Sequence, residues 1–540
     1  MARAASVRRI ERIVAAAALA LFAALAAFGA RYHWVEEPGT AERDGYVAQA
    51  EELLAGRLPR DPYRPLLYPL ATAALAAAGV APFAAARLLA NLAAAALPLL
   101  AFGFGRRLLG AKAFAPGSNQ WPGVPSVARP ARWTPGPPGA GLWAFALTAV
   151  NPNLWRIGQH VTTDMPFAAL AAAALLAGLA YLERPAARTA AAAGLAWGLA
   201  AFTRGNALFL LPPLAAAWLL APRGERRFAH LAAGAAAALP PLLAHWGLRA
   251  AAFGDPFHDE NWKNLAWKLY GYPDWSYLER VPFSGLLDVV RHDPAAVLRG
   301  GLAEIARFAT GGLPQLFGTW VHVALVVFGA AVALRLRPRA AGWLLGSAAL
   351  FLAATAFSFF TWGRLLLMLL PIGNALAFAP WKPPSRGKPL SYLIPVAAAL
   401  VALLAVKTFA FRLPDFVANH PYVEVATLRR LDAALPPGVA LAGTSPFLGR
   451  YLRRPYWALP DAFGPEVTRP ALYLEKLREP LAARAAGYLV VGERDLRDRP
   501  RALLGPAPPA PWLAPAGRGG APGRAVVVWR FRPPQGTFRR

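Results

Sequence analysis

Cysteine is absent from the 540 residues. That excludes disulfides and any metal site built on thiolates, and says nothing about compartment. Charge is also scarce, at 16% of residues, where a soluble domain carries roughly 25%. Acidic residues are the rarest part of it, 29 against 57 basic ones. Neither G-x-G-x-x-G nor D-x-D occurs, so a nucleotide-sugar donor handled by a soluble domain is not indicated.

What fills the chain instead is apolar. Hydrophobic residues make up 56%, and apolar runs of about twenty residues, the length that crosses a bilayer, recur. The fold class read from this is mainly α: a polytopic membrane protein. The net charge of +28 would point to nucleic acid only if it formed a patch on a soluble domain. Here Lys and Arg fall largely in short loops between apolar runs, as the positive-inside rule requires. No nucleic-acid partner is expected, and membrane lipids are. The 18 Trp fit interfacial belts.

Taken in order, basic residues 1–12 precede an apolar run, Ile13–Ala30, read as an uncleaved first span with its N-terminus cytoplasmic. Residues 31–65 form the first outer loop. Leu66–Gly79 is too short to span comfortably and is placed at the interface. Further spans are expected at Phe83–Phe104, Gly141–Val150, Thr163–Leu182, Ala190–Phe202, Ala207–Leu220, Phe228–Leu248, Leu313–Leu334, Ala341–Phe360, Leu365–Ala379 and Leu393–Ala410, about eleven in all. Every expected inside loop carries a Lys/Arg cluster, and one orientation satisfies them all. Gly194 and Gly198 make a small-xxx-small pair suited to close helix packing. Residues 1–410 are thus read as a transmembrane domain. Residues 411–540, with strand-like runs at 438–444, 487–492 and 525–531 around a helical one, are read as a small extracytoplasmic α/β domain.

The stretch TAERDGYVAQAEELLAGRLPRDPYRPLLYPL (40–70) breaks the positive-inside pattern. Its arginines, on the wrong side for topology, are better explained as anion ligands. Acids and arginines at an outer membrane surface suit glycosyl transfer from a polyprenyl-phosphate sugar. Cationic side chains hold the departing phosphate, and a carboxylate takes the proton of the acceptor hydroxyl. No nucleotide or other cofactor enters that chemistry. His258, Asp259 and Glu260 are adjacent, and adjacent residues rarely close a metal's ligand set, so no divalent metal is expected.

The order of motifs resembles the C-type (GT-C fold) membrane glycosyltransferases, the superfamily that includes protein mannosyltransferases and the lipid A aminoarabinose transferase. The resemblance rests on a first span, then an acid shortly before a Tyr, then A…L..G…RP.LYP. It continues in NPNLWRIGQHVTTDMPFAAL (151–170), GLAWGLAAFTRGNALFLLPPL (194–214) and WGRLLLMLLP (362–371), and covers roughly residues 10–380. It implies an inverting enzyme of the cell (inner) membrane, with a polyprenyl-phosphate sugar as donor and a lipid, glycan or protein as acceptor. It also implies that the base is an acid of the first outer loop. Asp44, in RDGY, matches; the spacing to Tyr46 also admits Glu42. Otherwise either acid is a solvated loop residue or a helix cap.

Arg364, by the same resemblance, is a ligand of the donor phosphate; the alternative is a snorkelling interfacial arginine. Arg204, in the TRGN turn, and Arg64 are candidates of the same kind. Asp164 is either a second acid facing the cavity or the N-cap of its span. In the run 258–271, Glu260 and Lys263 are candidate sugar contacts. That run also reads as an amphipathic helix lying on the membrane, with Trp262, Leu265, Ala266 and Leu269 on one face. The rival functions are a transporter or flippase for a lipid-linked glycan and a non-enzymatic membrane scaffold.

Overall fold

The computed structural model describes residues 2–32, 45–61, 63–108, 138–222, 227–270, 283–359, 361, 363–378, 393–418, 422–443, 452, 454–459, 470–493, 501–520 and 525–532. The chain divides into two units, residues 1–27 with 49–413, and residues 28–48 with 414–540.

In the first unit the helices run α1 (Ala2–Tyr32), α2 (Tyr46–Leu54), α3 (Leu67–Ala77), α4 (Pro82–Leu108), α5 (Pro138–Ala149), α6 (Pro152–Ile157), α7 (Asp164–Glu183), α8 (Ala187–Thr203), α9 (Leu211–Leu220) and α10 (Phe228–Phe253). They continue as α11 (Trp262–Tyr270), α12 (Leu286–His292), α13 (Pro294–Arg307), α14 (Leu313–Phe317), α15 (Trp320–Leu336), α16 (Pro338–Ser358), α17 (Leu369–Ala377) and α18 (Leu393–Val406). Among the described residues six helices are long and apolar enough to cross a membrane, and a bent pair makes a seventh. The protein is a multi-pass membrane protein. The remaining expected spans are short or interrupted: α5, α8, α9 and α17. The last is a buried helix of only nine residues behind a 3-10 turn.

The expected span Leu313–Leu334 is broken. α13 and α14 meet α15 at 102°, because Gly318 takes φ +94, a conformation open to glycine, and Thr319 then caps α15 by accepting from the His322 amide. A break inside an apolar unit frees backbone carbonyls that need partners. Each finds one. Asn153 donates to Gln315 O (2.7 Å) and Asn151 to Leu316 O (2.9 Å). His322 Nδ1 lies 2.7 Å from Phe317 O, and the Lys407 ammonium donates to Gly318 O. Beyond the expected span Phe228–Leu248, α10 continues to Phe253, and α11, α12 and α13 follow. The apolar face of α11 packs against α12. Leu265 and Ala266 are buried with Val289 of α12, and Trp262 and Leu269 pack around them.

The Gly194/Gly198 pair works as read. A Cβ on Gly194 would stand 2.0 Å from the Gly234 carbonyl oxygen, so α8 and α10 approach backbone to backbone.

In the second unit, α19 (Leu413–Ala418), α20 (Tyr422–Ala433) and α21 (Pro470–Ala483) accompany strands β1 (Ala440–Gly443), β2 (Tyr456–Ala458), β3 (Ala486–Gly492), β4 (Leu513–Gly519) and β5 (Val526–Phe531). The sheet order is β2-β1-β3-β5-β4, with β1 parallel to both neighbours and β5 antiparallel to both of its own. Alternate residues divide between two cores. Leu489, Val491 and Trp529 pack with Leu477 and Leu481 of α21, and Leu441, Val490 and Val528 with Val425 and Leu428 of α20. That is the period-2 alternation of a sheet covered on both faces.

Candidate active site

Asp164 is the first residue of α7 and is 3% exposed. It does not cap its helix: Thr163 occupies that position, with no side-chain capping bond to the helix amides. Its carboxylate instead collects three partners. The Thr162 hydroxyl donates to Oδ2 (3.0 Å), Arg204 donates to Oδ1, and Arg364 Nε stands 3.7 Å from Oδ2. Arg204 arrives because α8 ends there, in extended conformation, before a 3-10 turn (Gly205–Leu210). Arg364 arrives on another 3-10 turn (Gly363–Leu366), between α16 and α17. Three residues picked out one by one in the sequence therefore converge. The cluster holds one carboxylate and two guanidiniums at the N-terminal, partially positive end of a helix, so it carries surplus positive charge. Both guanidiniums keep some exposure, 23% for Arg204 and 31% for Arg364.

A second cluster adjoins the first. Gly205, next to Arg204, lies beside the Asn261 side-chain amide, which would be 4.0 Å from a Cβ there. Asn261 donates to Tyr63 O (3.2 Å). Glu260 pairs with Lys263 (2.6 Å), whose ammonium lies 5.8 Å from the centre of the Tyr63 ring. Burial pushes the Glu260 carboxyl up, but hydrogen bonds from Lys263 and Tyr63 outweigh it and hold the group below its ordinary value. The neighbouring Asp259 carboxyl is raised by burial.

Arg64 is organised by Asp61, which the sequence reading passed over. That carboxylate pairs with Arg64 (2.8 Å) and accepts from Gln49 Nε2 (2.7 Å) and from the amides of Tyr63 (2.8 Å) and Arg64 (3.1 Å). The Asp61 carbonyl accepts from Arg249 (3.2 Å). An Asp two residues before a Tyr and three before an Arg, in RDPYR, is a turn-organising pattern, and was the available signal.

Glu42 and Asp44 lie outside the described residues. Tyr46 opens α2, is 6% exposed, and belongs to the unit of residues 28–48 and 414–540. Among the described residues no group of three His, Asp or Glu side chains is placed to hold a metal ion.

Residues 136–246 match the family model described as dolichyl-phosphate-mannose-protein mannosyltransferase. No curated protein sequence matches significantly. Among solved structures, the chain is similar to ArnT from Cupriavidus metallidurans bound to undecaprenyl phosphate. The TM-score is 0.51 at 16% identity, over 96% of this chain and 97% of that one. The apo state of the same protein gives 0.50 at 16% identity, over 97% and 98%. The apo oligosaccharyltransferase of Archaeoglobus fulgidus is more distant, at 0.49 and 13% identity, over 88% and 70%. The end-to-end match to ArnT, the helical membrane unit and the matched segment around Asp164 and Arg204 agree: the chain has the fold of the C-type membrane glycosyltransferases and is similar to their protein mannosyltransferase and aminoarabinose transferase superfamily.

Proposed function

We propose that the protein is an inverting glycosyltransferase, which moves a sugar from a polyprenyl-phosphate carrier to an acceptor hydroxyl at the outer face of the cell membrane. The observation that carries this reading is the meeting of Arg204 and Arg364 on Asp164. Two guanidiniums at a helix N-terminus have a use if an anion arrives, and a phosphate is the anion that a planar, multiply donating group holds best. ArnT, whose fold this chain shares, was solved with undecaprenyl phosphate bound.

In the reaction, the acceptor oxygen attacks C1 of the sugar while the bond from C1 to the phosphate oxygen breaks. The bonding pair leaves on the phosphate, where Arg364 and Arg204 stabilise the growing charge. The proton of the hydroxyl passes to the carboxylate of Asp44 or Glu42. Arg64, Tyr46, Glu260 and Lys263 contact donor and acceptor around this centre. The N-terminus is cytoplasmic and residues 411–540 are extracytoplasmic. A reporter fused after Arg540 is therefore active outside; activity in the cytoplasm contradicts that topology.

The test is transfer in membranes supplied with a polyprenyl-phosphate sugar, comparing Asp44→Asn and Glu42→Gln. Loss in one identifies the base, and full activity in both removes the catalytic-carboxylate proposal. A transporter moves the lipid-linked glycan without forming a new glycosidic bond. The broken helix at Gly318 is the kind of element in which transporters coordinate ions. Here the carbonyls from Gln315 to Gly318 are each taken by a side chain, which favours the enzyme.

A further inference from the structure

Arg364 reaches Asp164 from a turn that follows the end of α16, and two side chains from elsewhere grip that end. Lys268 of α11 donates its ammonium to the carbonyls of Ala356 and Phe359, the latter at 2.8 Å. These belong to the last turn of α16 and the residue after it, where helix carbonyls lack intrahelical partners. Glu304 of α13 acts two residues further on. Its Oε2 accepts from the Thr361 amide (3.0 Å) and lies 3.0 Å from the Thr361 hydroxyl; the Glu304 carbonyl is a second acceptor for that hydroxyl, at 3.1 Å. Its Oε1 pairs with Arg307 (2.6 Å).

The placement of Glu304 is unusual. α13 exposes Leu298 and Leu302 and turns its acid inward, where Glu304 is 2% exposed. A buried carboxylate costs several kcal/mol to desolvate, and an apolar side chain would pack α13 on α16 without that cost. What the carboxylate adds is a directional grip on the backbone of Thr361, three residues before Arg364.

We propose that Glu304 is a positioning residue of the donor site: by holding Thr361 it fixes the turn that presents the Arg364 guanidinium beside Asp164. Lys268 fixes the start of the same segment. The proposal rests on the reading of Arg364 as a phosphate ligand. Hydrogen-bonded groups that act through one another show non-additive substitutions.

The test is the affinity of the purified full-length protein for polyprenyl monophosphate, measured for wild type, Glu304→Ala, Glu304→Gln, Arg364→Ala and the double variant Glu304→Ala/Arg364→Ala. Arg364→Ala and Glu304→Ala are each expected to weaken binding about tenfold, and the double variant to bind no more weakly than Arg364→Ala. Glu304→Gln recovers most of the loss, because its amide oxygen still accepts from the Thr361 amide. If Arg364→Ala binds like wild type, the donor-site reading fails, and the proposal with it. If Arg364→Ala weakens binding but Glu304→Ala does not, or the two losses multiply, the positioning role is overturned and the donor-site reading stands. Should Glu304→Ala not accumulate as folded protein, Thr361→Ala takes its place in the same cycle, and multiplied losses overturn the proposal equally.

Discussion

The two ends of α7 carry matching sets of charges and differ in what those charges are for. At one end Asp164 meets Arg204 and Arg364; at the other Glu183 meets Arg107 (2.8 Å) and Arg337 (3.7 Å). Both acids are buried, at 3% and 7% exposure. The helix dipole separates them. At the C-terminal end, arginines are welcome and the acid is tolerated because of them. Arg107 ends α4 and Arg337 links α15 to α16, so Glu183 ties helix ends together; nearby, Arg106 of α4 pairs with Glu11 of α1. At the N-terminal end the same charges are reversed with respect to the dipole. Asp164 is welcome there, and two arginines are not. They come from turns rather than helices, and Gly205, next to Arg204, lies beside Asn261 of the second cluster. A structural tie needs no such arrangement, whereas a site that receives an anion does.

The largest effect expected is on transfer. Arg364→Ala lowers the rate of sugar transfer about 100-fold or more, as loss of one charged donor at a developing anion does. Arg364→Lys recovers part of it, because an ammonium keeps the charge and loses the planar fork. A rate assay on membranes with matched protein levels reads both.

A second experiment opposes the two ends directly. Asp164→Asn leaves the folded yield near wild type and lowers turnover about tenfold, since the guanidiniums lose the carboxylate that aims them. Glu183→Gln does the reverse. It removes the buried charge that Arg107 and Arg337 share and costs about 3 kcal/mol or more of stability, seen as a lower unfolding temperature in detergent, while turnover per folded molecule is kept. The two phenotypes exchanged would remove the distinction drawn here.

Helix packing gives a control remote from both ends. Gly194→Val cannot be seated against the Gly234 carbonyl and is expected to abolish folded protein, whereas Gly247→Ala, with nothing within 4 Å of its Cβ, is expected to cost about 1 kcal/mol or less. Gel filtration in detergent reads the difference.

The smallest effect concerns Lys268 and sharpens the Asp164 end alone. Burial lowers its pKa from 10.5 to about 8. The unfolded chain therefore binds the proton more tightly, and folding stability rises with pH between about 8 and 10.4. Acylation of Lys268, followed by mass spectrometry against pH, is expected to reach half its maximal rate near pH 8. A midpoint above 10 would show an ordinary, solvated lysine.

Much of the membrane unit was legible in the sequence because bilayer length and positive-inside loops act locally. The spans at Phe83–Phe104, Thr163–Leu182 and Ala341–Phe360 correspond to α4, α7 and α16 within a few residues. The break at Gly318 was not legible. Its apolar run shows no gap in hydropathy, and the side chains that satisfy its carbonyls, Asn151, Asn153 and Lys407, come from distant parts of the chain. In the second unit β3 and β5 are apolar runs with consecutive valines, Val490–Val491 and Val526–Val528, and were found. β2 has only three residues, and β4 reads LAPAGRG, whose Pro and Gly suit an edge strand but not a sequence search. At the site, Asp164, Arg204 and Arg364 were each named for their residue type and position. Their convergence is tertiary, across helices far apart in sequence. Glu304 carried a weak signal, a lone acid in the apolar run LAEIARF, which periodicity reads as a solvated face and the fold turns inward.

The most direct measurement is the dissociation constant of polyprenyl monophosphate for wild type, Arg204→Ala, Arg364→Ala and Glu183→Gln side by side. Binding about tenfold weaker or more in the two variants at the Asp164 end, with Glu183→Gln equal to wild type, is the expected result. Equal affinity in all four proteins would contradict the claim that the arginines beside Asp164 hold the donor phosphate.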